Sequence, residues 1–430
     1  MNKKIPVVSK EVILPFILIT SLFALWGFAN AVTDPMVSAF KKVLELDNLK
    51  ASLVQLAFYG GYFTMALPAA YFMKKYSYKI GILIGLSLYA FGALLFYPAA
   101  ALENYTFFLV ALYILTFGLA FLETSANPYI LAMGDKRTAT RRLNLAQAFN
   151  PLGLITGLYV AQIFVLRKLQ SDDFKNYNQL SETVKQNIRT SDLLVIRNPY
   201  VILGIVVLLL LFIISLIKMP EKKEENNSIS IKQTFIRIFK KKNFTEGVIA
   251  QLFYVGAQTM CWTYIYQYAE NIGINNKTAV NYSYIAFGLF LGGRFIFTYF
   301  LKFINPSKLL LYLAVLSIFL ALGTIFIQGI GGLYCLITIS FCMSLMFPTI
   351  YGIALADLGE DAKFASAFLV MAIVGGAILP VLQGFILDIG GIGYNDTSIL
   401  GVPEVNFSFI LPLICFFVIT TYGYRSFKRS

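Results

Sequence analysis

Twelve long apolar stretches follow one another along this chain of 430 residues. Each is close to the length of about 20 residues that an α-helix needs to cross the hydrocarbon core of a bilayer. The predicted spans lie near residues 12–40, 50–73, 79–99, 106–133, 141–166, 200–218, 244–269, 280–302, 306–328, 331–357, 362–388 and 405–425. Charged residues make up 13% of the chain, against about 25% in a soluble domain. The sequence therefore predicts an all-α integral membrane protein and excludes a soluble enzyme.

The positions of the basic residues predict the orientation of the chain. Of its 35 Lys and Arg residues, 24 lie in the N-terminal arm, the even-numbered connections and the C-terminal tail. An excess of Lys and Arg marks the cytoplasmic side, so both termini are predicted to be cytoplasmic. This asymmetry accounts for the net charge of +13 without a nucleic-acid partner. The first span begins near Val12 and lacks a small-residue cleavage site, which predicts a retained helix.

The spans are arranged as six, a polar linker and six, which predicts an internal duplication. We divide the chain into an N-terminal six-helix bundle at 1–218, a cytoplasmic linker at 219–243 and a C-terminal six-helix bundle at 244–430. Matched residues occur at nearly constant offset in corresponding spans: Trp26 and Trp262, Gly61 and Gly293, Pro128 and Pro348. Transporters built from two such repeats bind their substrate between the halves and alternate its access to the two sides.

Two acidic residues lie inside predicted spans, where an ionisable group is energetically unfavourable and therefore indicates a function. Burying a charge in hydrocarbon costs about 2.5–3.5 kcal/mol on insertion scales. Asp34 is in the outer part of span one, and Glu123 is near the middle of span four. Asp34 could also cap a helix at the interface, and Glu123 could be purely structural. Because the chain contains no histidine, proton coupling would have to use these two carboxyl groups.

Polar and aromatic residues recur at helical spacing around these acids. The predicted substrate-binding residues are Trp26, Asn30, Glu123, Asn127, Gln147, Asn150, Tyr254, Gln258 and Trp262. Amides and carboxylates can pair with the hydroxyl groups of a sugar, and flat aromatic faces can cover its apolar side. Single amides could instead join helices to one another.

Arg294 is the one cation inside a predicted span. We interpret it as a gating or structural residue that neutralises a carboxyl group or backbone carbonyls, with direct substrate contact as the alternative. The chain has no HExxH, GxSxG or P-loop motif, and its four cysteines form no CxxC pair. We therefore expect a non-enzyme without catalytic residues, metal or cofactor. The alternative from another class is an integral-membrane enzyme that acts on lipid-linked sugars, which would need a metal or nucleotide motif.

Five motifs resemble the L-fucose:proton symporter family of the major facilitator superfamily. They are LFALWGF (22–28), LVQLAFYGGYF (53–63), LETSANPY (122–129), RLNLAQAFNPLG (142–153) and YVGAQTMCW (254–262). The resemblance runs through all twelve spans and implies the major facilitator fold with alternating access. By motif, it implies that Asp34 and Glu123 couple to protons, that Gln147 and Asn150 bind sugar, and that the tryptophans lie close to the cavity.

The resemblance also implies the function. We expect a monomeric secondary transporter in a bacterial inner membrane that imports a monosaccharide, with L-fucose as the first choice, by proton symport. Members of the family also carry glucose, galactose or N-acetylglucosamine, and some use sodium. A sodium- or proton-coupled carrier of those sugars is therefore the alternative.

Overall fold

The computed structural model describes residues 5–44, 46, 48–173, 180–220, 231–389 and 397–429. Its helices are α1 (Ile13–Val43), α2 (Asn48–Lys75), α3 (Tyr78–Leu94), α4 (Phe96–Ala101), α5 (Tyr105–Ala132), α6 (Ala139–Gln147), α7 (Asn150–Val160), α8 (Glu182–Leu216), α9 (Ile231–Phe239), α10 (Lys242–Thr263), α11 (Ile265–Asn271), α12 (Asn276–Phe300), α13 (Pro306–Phe326), α14 (Ile330–Met343), α15 (Met346–Leu355), α16 (Ala362–Met371), α17 (Gly375–Leu387), α18 (Glu404–Ser408) and α19 (Ile410–Arg429). A short antiparallel hairpin pairs β1 (Ser398–Ile399) with β2 (Val402–Pro403).

The chain divides into two compact units. One unit comprises Val12–Asn127 and Leu152–Lys222, and the other comprises Met1–Glu11, Pro128–Pro151 and Lys223–Ser430. We call them the first unit and the second unit. The division into duplicated halves at 1–218 and 244–430 remains a prediction.

Ten helical segments of the described chain are long and apolar enough to cross a membrane. The predicted second and seventh spans correspond to α2 and α10, which are helical but are not among those ten. Both helices contain amide, hydroxyl and glycine residues that lower their mean hydropathy.

Several predicted spans are divided into two helices, and proline explains two of the divisions. The fifth span breaks between α6 and α7, just before Pro151, and the tenth breaks between α14 and α15, just before Pro348. Proline has no N–H to donate and clashes with the preceding turn, so a helix tends to end before it. By contrast, α5 continues through Pro128 and α17 continues through Pro380.

The helix of the sixth span begins well before its apolar part. α8 starts at Glu182 and continues without a break into the apolar span. Asp192 lies on this extension and is buried. Its carboxylate accepts hydrogen bonds from the backbone N–H groups of Gln170 (2.8 Å) and Ser171 (3.0 Å), which ties the preceding 3-10 turn to α8.

The predicted solvated linker also contains a helix, α9, in its described part. The ring of Phe239 lies 5.0 Å from that of Phe368 on α16, and Phe235 lies 5.8 Å from the same ring. Arg237 pairs with Asp361 just before α16. Within the second unit, α9 is therefore packed against the C-terminal helices.

In the first unit, α3 and α5 pack with their backbones in close contact. A Cβ atom added at Gly118 would lie 2.3 Å from the backbone nitrogen of Tyr89 and 2.6 Å from the carbonyl oxygen of Gly85. Small residues allow such close approach between membrane helices, where it favours van der Waals contact and interhelical hydrogen bonds.

We expect Gly118→Ala to lower the free energy of unfolding by about 1–3 kcal/mol, because the added methyl group meets rigid backbone. The measurement is thermal unfolding of the purified protein in detergent. The matched control is Gly288→Ala on α12, where an added Cβ meets nothing within 4 Å. Equal melting temperatures for the two variants would contradict the close packing of α3 on α5.

Candidate functional site: a buried carboxyl group and two polar clusters

Glu123 lies on α5 in the first unit and is 8% exposed. The phenol of Tyr62, from α2, donates a hydrogen bond of 3.1 Å to its Oε1 atom. Within the described part of the chain, no cation forms an ion pair with Glu123. A neutral partner can accompany the carboxyl group in both its ionised and its protonated form, whereas a salt bridge would favour the ionised form. The geometry therefore suits a group that gains and loses a proton.

Asn127 lies one turn after Glu123 on the same helix and is fully buried. Its amide donates a 3.0 Å hydrogen bond to the backbone carbonyl of Glu123. This contact holds the side chain on the Glu123 face of α5, as the sequence spacing predicts. One of the two N–H groups of this amide is therefore used by the helix itself.

Of the predicted site residues on α1, the structure describes the side chains of Trp26 and Asn30. Asp34 belongs to α1, but its side chain lies outside the described residues. Trp26 is buried against Phe23 in an edge-to-face contact, with ring centroids 4.4 Å apart. Its indole N–H is buried and has no hydrogen-bond partner among the described residues. Asn30, one turn further along, is half-buried. A buried indole N–H usually finds a partner, so Trp26 has a donor to offer a ligand or a water.

In the second unit, Gln147 and Arg294 meet. Both are buried, and the Arg294 guanidinium donates to Oε1 of Gln147 at 3.4 Å. The guanidinium carbon also lies 4.9 Å from the ring centroid of Phe290. The expected neutralisation of a carboxyl group or of backbone carbonyls does not appear among the described contacts of Arg294. The residue instead pairs with an amide that the sequence assigned to substrate binding, because α6 and α12 approach each other at this point.

Two further polar residues near Gln147, Asn150 and Asn144, differ in burial and in hydrogen bonding. Asn150, at the first position of α7, is half-buried. Asn144, on the same face as Gln147, donates 3.1 Å to Thr349 on α15 and 2.9 Å to the carbonyl of Thr140. Asn144 therefore joins two helices, whereas Gln147 makes a contact that a ligand could replace.

The aromatic residues of α10 also make defined contacts. Tyr254 is fully buried and donates 3.0 Å to the carbonyl of Met343, at the end of α14. Carbonyls at a helix end lack intrahelical partners, so the Tyr254 hydroxyl caps the end of α14. Trp262 donates 3.1 Å to Ser340, and its ring lies 5.1 Å from that of Phe290. Phe290 thus contacts both Trp262 and Arg294.

Gln251 is a further candidate that is not among the predicted substrate-binding residues. It is fully buried on α10, and neither its amide nitrogen nor its amide oxygen has a hydrogen-bond partner among the described residues. A buried amide without partners is costly, and such groups call for a ligand or ordered water. The signal was present in the sequence, because Gln251 lies three and seven residues before Tyr254 and Gln258 on one helical stripe. Gln258 itself is half-buried.

Comparison with known proteins agrees with this architecture. The chain matches the family model of the Major Facilitator Superfamily over residues 17–380. It is 56% identical over 434 residues to an L-fucose-proton symporter of Haemophilus influenzae, covering 100% of this chain and 99% of that protein. It is 31% identical over 408 residues to a glucose/galactose transporter of Brucella abortus, covering 94% of this chain and 92% of that protein.

A solved structure gives the corresponding likeness in three dimensions. The crystal structure of the transporter FucP in the outward conformation superposes with a TM-score of 0.87 at 37% identity. The match covers 97% of this chain and 99% of that one. The all-α membrane fold predicted from the apolar stretches is therefore confirmed.

Proposed function

This chain belongs to the Major Facilitator Superfamily, and from that premise we propose that it imports L-fucose by proton symport through alternating access. The observation that carries the proposal is its likeness to an L-fucose-proton symporter over the whole length of both chains. The proteins it resembles are transporters, so its activity is transport and not catalysis. It needs no cofactor beyond the coupling proton.

We assign the coupling proton to Glu123, with Asp34 as its partner. The carboxyl group takes up a proton while it is accessible from outside. Its Oε1 atom accepts a hydrogen bond from Tyr62, and an acid carbonyl oxygen can accept the same bond after protonation. Neutralising the carboxyl group lowers the electrostatic cost of enclosing it among apolar helices. Proton and sugar then stabilise each other's binding by the same factor, since linkage between two ligands is reciprocal.

We assign sugar recognition to Gln147 and the other polar residues that the sequence predicts to bind substrate. Gln147 offers an amide whose partner, Arg294, is 3.4 Å away, a distance at the long end for a hydrogen bond. A sugar hydroxyl can therefore take the place of Arg294 at the Gln147 amide, and no short hydrogen bond is lost in the exchange. The other residues of the predicted set are Trp26, Asn30, Glu123, Asn127, Asn150, Tyr254, Gln258 and Trp262.

The alternative is a carrier of glucose or galactose coupled to sodium or protons, favoured by the likeness to the Brucella transporter. Uptake by proteoliposomes separates the two. We expect labelled L-fucose to accumulate under an inward proton gradient in sodium-free buffer. We also expect unlabelled L-fucose to compete better than D-galactose, D-glucose or N-acetylglucosamine. Accumulation that requires sodium, or that D-glucose inhibits best, would favour the alternative.

We also propose that the protein acts as a monomer in a bacterial inner membrane with both termini in the cytoplasm. The excess of basic residues in the even-numbered connections supports this orientation. Fusion of a fluorescent protein that matures only in the cytoplasm tests each terminus. Fluorescence absent from a stably expressed fusion would contradict the orientation.

We expect Asp34→Asn to reduce active accumulation of L-fucose more than it reduces exchange of labelled sugar at equal concentrations. The amide cannot carry a proton, but it keeps the size and hydrogen-bonding capacity of the side chain. Both activities are measured in the same proteoliposomes. Equal loss of exchange and accumulation would assign Asp34 to the fold or to sugar binding and not to coupling.

A further inference from the structure

A basic cavity of about 600 Å³ lies in the second unit where α10 begins and α19 ends. We call it the α10–α19 cavity. Its lining residues are Phe239, Lys242, Thr245, Glu246, Arg425, Lys428 and Arg429. The lining contains four cations and one carboxylate, so the cavity carries an excess of positive charge. Neither a proton nor a neutral sugar would be bound by such a charge.

The two arginines of this cavity are held in place by the protein itself. Oε1 of Glu246 accepts hydrogen bonds from Arg425 (3.3 Å) and from Arg429 (2.9 Å). Arg429 also donates 3.2 Å to the side-chain oxygen of Asn243. These contacts orient the guanidinium groups and use the one carboxylate, so that the remaining positive charge is not neutralised.

The two lysines of the cavity have no anionic partner among the described residues. Lys242 is the first residue of α10, and Lys428 is exposed on α19. The N-cap position of α10, Lys241, makes no side-chain hydrogen bond to the helix. The dipole of a helix start without a side-chain cap favours an anion, as do both ammonium groups.

Exposed aromatic side chains surround the same end of α19. Tyr424 and Phe427 are 47% and 38% exposed. The Lys428 ammonium lies 4.7 Å from the ring centroid of Tyr424, and the Lys308 ammonium lies 5.8 Å from that of Phe427. Aromatic rings paired with lysines at the end of a membrane span are typical of the headgroup level of a bilayer. A free phosphate ion would need no such apolar surface.

We propose that the α10–α19 cavity binds the phosphate headgroup of an anionic phospholipid. The phosphate oxygens accept hydrogen bonds from Lys242 and Lys428, and the acyl chains lie along the exposed rings of Tyr424 and Phe427. Basic pockets at the ends of membrane helices take lipid phosphates in this way. This site is separate from Glu123 and Gln147, so its test does not depend on the transported sugar.

The test uses the full chain, purified in detergent and mixed with equal amounts of phosphatidylglycerol and phosphatidylethanolamine. Native mass spectrometry counts the lipids that stay bound. The variant is Lys242→Gln/Lys428→Gln, which keeps the arginine–Glu246 contacts. The control is Lys136→Gln/Lys302→Gln, which removes two exposed lysines from connections outside the cavity.

We expect the wild type and the control to retain phosphatidylglycerol in preference to phosphatidylethanolamine. The cavity variant should bind phosphatidylglycerol at least about tenfold more weakly, given about fivefold for each lysine. Equal weakening in both double variants would show a general effect of charge and overturn the proposal. Displacement of the lipid by inorganic phosphate alone, at millimolar concentration, would also overturn it and would assign the cavity to a free anion.

Discussion

Proteoliposomes that contain Glu123→Gln are expected not to accumulate L-fucose against a gradient, whatever the proton gradient imposed. Glutamine preserves the size of the side chain and can still accept the hydrogen bond from Tyr62, which is 3.1 Å long in the structure. It cannot take up or release a proton, so the proton gradient can no longer drive the transport of sugar. Internal sugar should therefore rise only to the external concentration.

Two comparisons make this experiment specific. Exchange of labelled for unlabelled L-fucose at equal concentrations should persist in Glu123→Gln, which shows that the variant is folded and still binds sugar. Glu182→Gln, at the exposed start of α8, makes the same chemical change outside the membrane and should accumulate sugar like the wild type. Wild-type accumulation by Glu123→Gln would refute the coupling role, because no protonatable group would remain at this position.

Arg142→Met is expected to produce the largest loss of stability. Arg142 is fully buried, and its guanidinium donates to the carbonyls of Ile130 (2.7 Å), Leu131 (2.6 Å) and Val7 (3.1 Å). Two of these carbonyls belong to the last turn of α5, which has no following turn to donate to them. The Ile130 carbonyl has one further contact, a long hydrogen bond of 3.4 Å from the backbone N–H of Met133. Methionine fills a similar volume but donates nothing. With about 1–3 kcal/mol for each buried acceptor left unsatisfied, we expect a loss of at least about 3 kcal/mol in the free energy of unfolding.

Thermal unfolding in detergent measures this loss, with Arg137→Met as the control. Arg137 is a cation of the same connection that pairs with Asp135 at 2.8 Å, but its side chain is 73% exposed. Water screens such a pair, so its removal should leave the melting temperature nearly unchanged. If Arg142→Met were as stable as Arg137→Met, the capping role of Arg142 would be wrong.

The intramembrane charges could be found in the sequence, but their partners could not. Glu123 and Arg294 stand out because a charge among apolar residues is costly at any position along a span. Tyr62 lies on a polar stripe of α2, yet its contact with Glu123 joins residues that are 61 positions apart. Arg294 and Gln147 are 147 positions apart. Helical periodicity places each residue on a face of its own helix and contains no information about which face of another helix it meets.

Arg142 was missed for a related reason. It was counted among the cytoplasmic basic residues that determine orientation, and composition cannot distinguish an exposed arginine from one that caps a neighbouring helix. Only the fold brings its guanidinium to the carbonyls at the end of α5. The unsatisfied amide of Gln251 was visible as part of a stripe, but its lack of partners depends on every helix packed around α10.

The apolar stretches by themselves determined that this chain is an all-α membrane protein, because a span in hydrocarbon must satisfy its own backbone hydrogen bonds and therefore must be helical. They also located the spans to within a few residues, apart from the polar start of α8. The docking of α9 on α16 and the pairing of Glu123 with Tyr62 were decided by tertiary structure alone. Those features depend on contacts between distant segments, and such contacts exist only once the helices have packed.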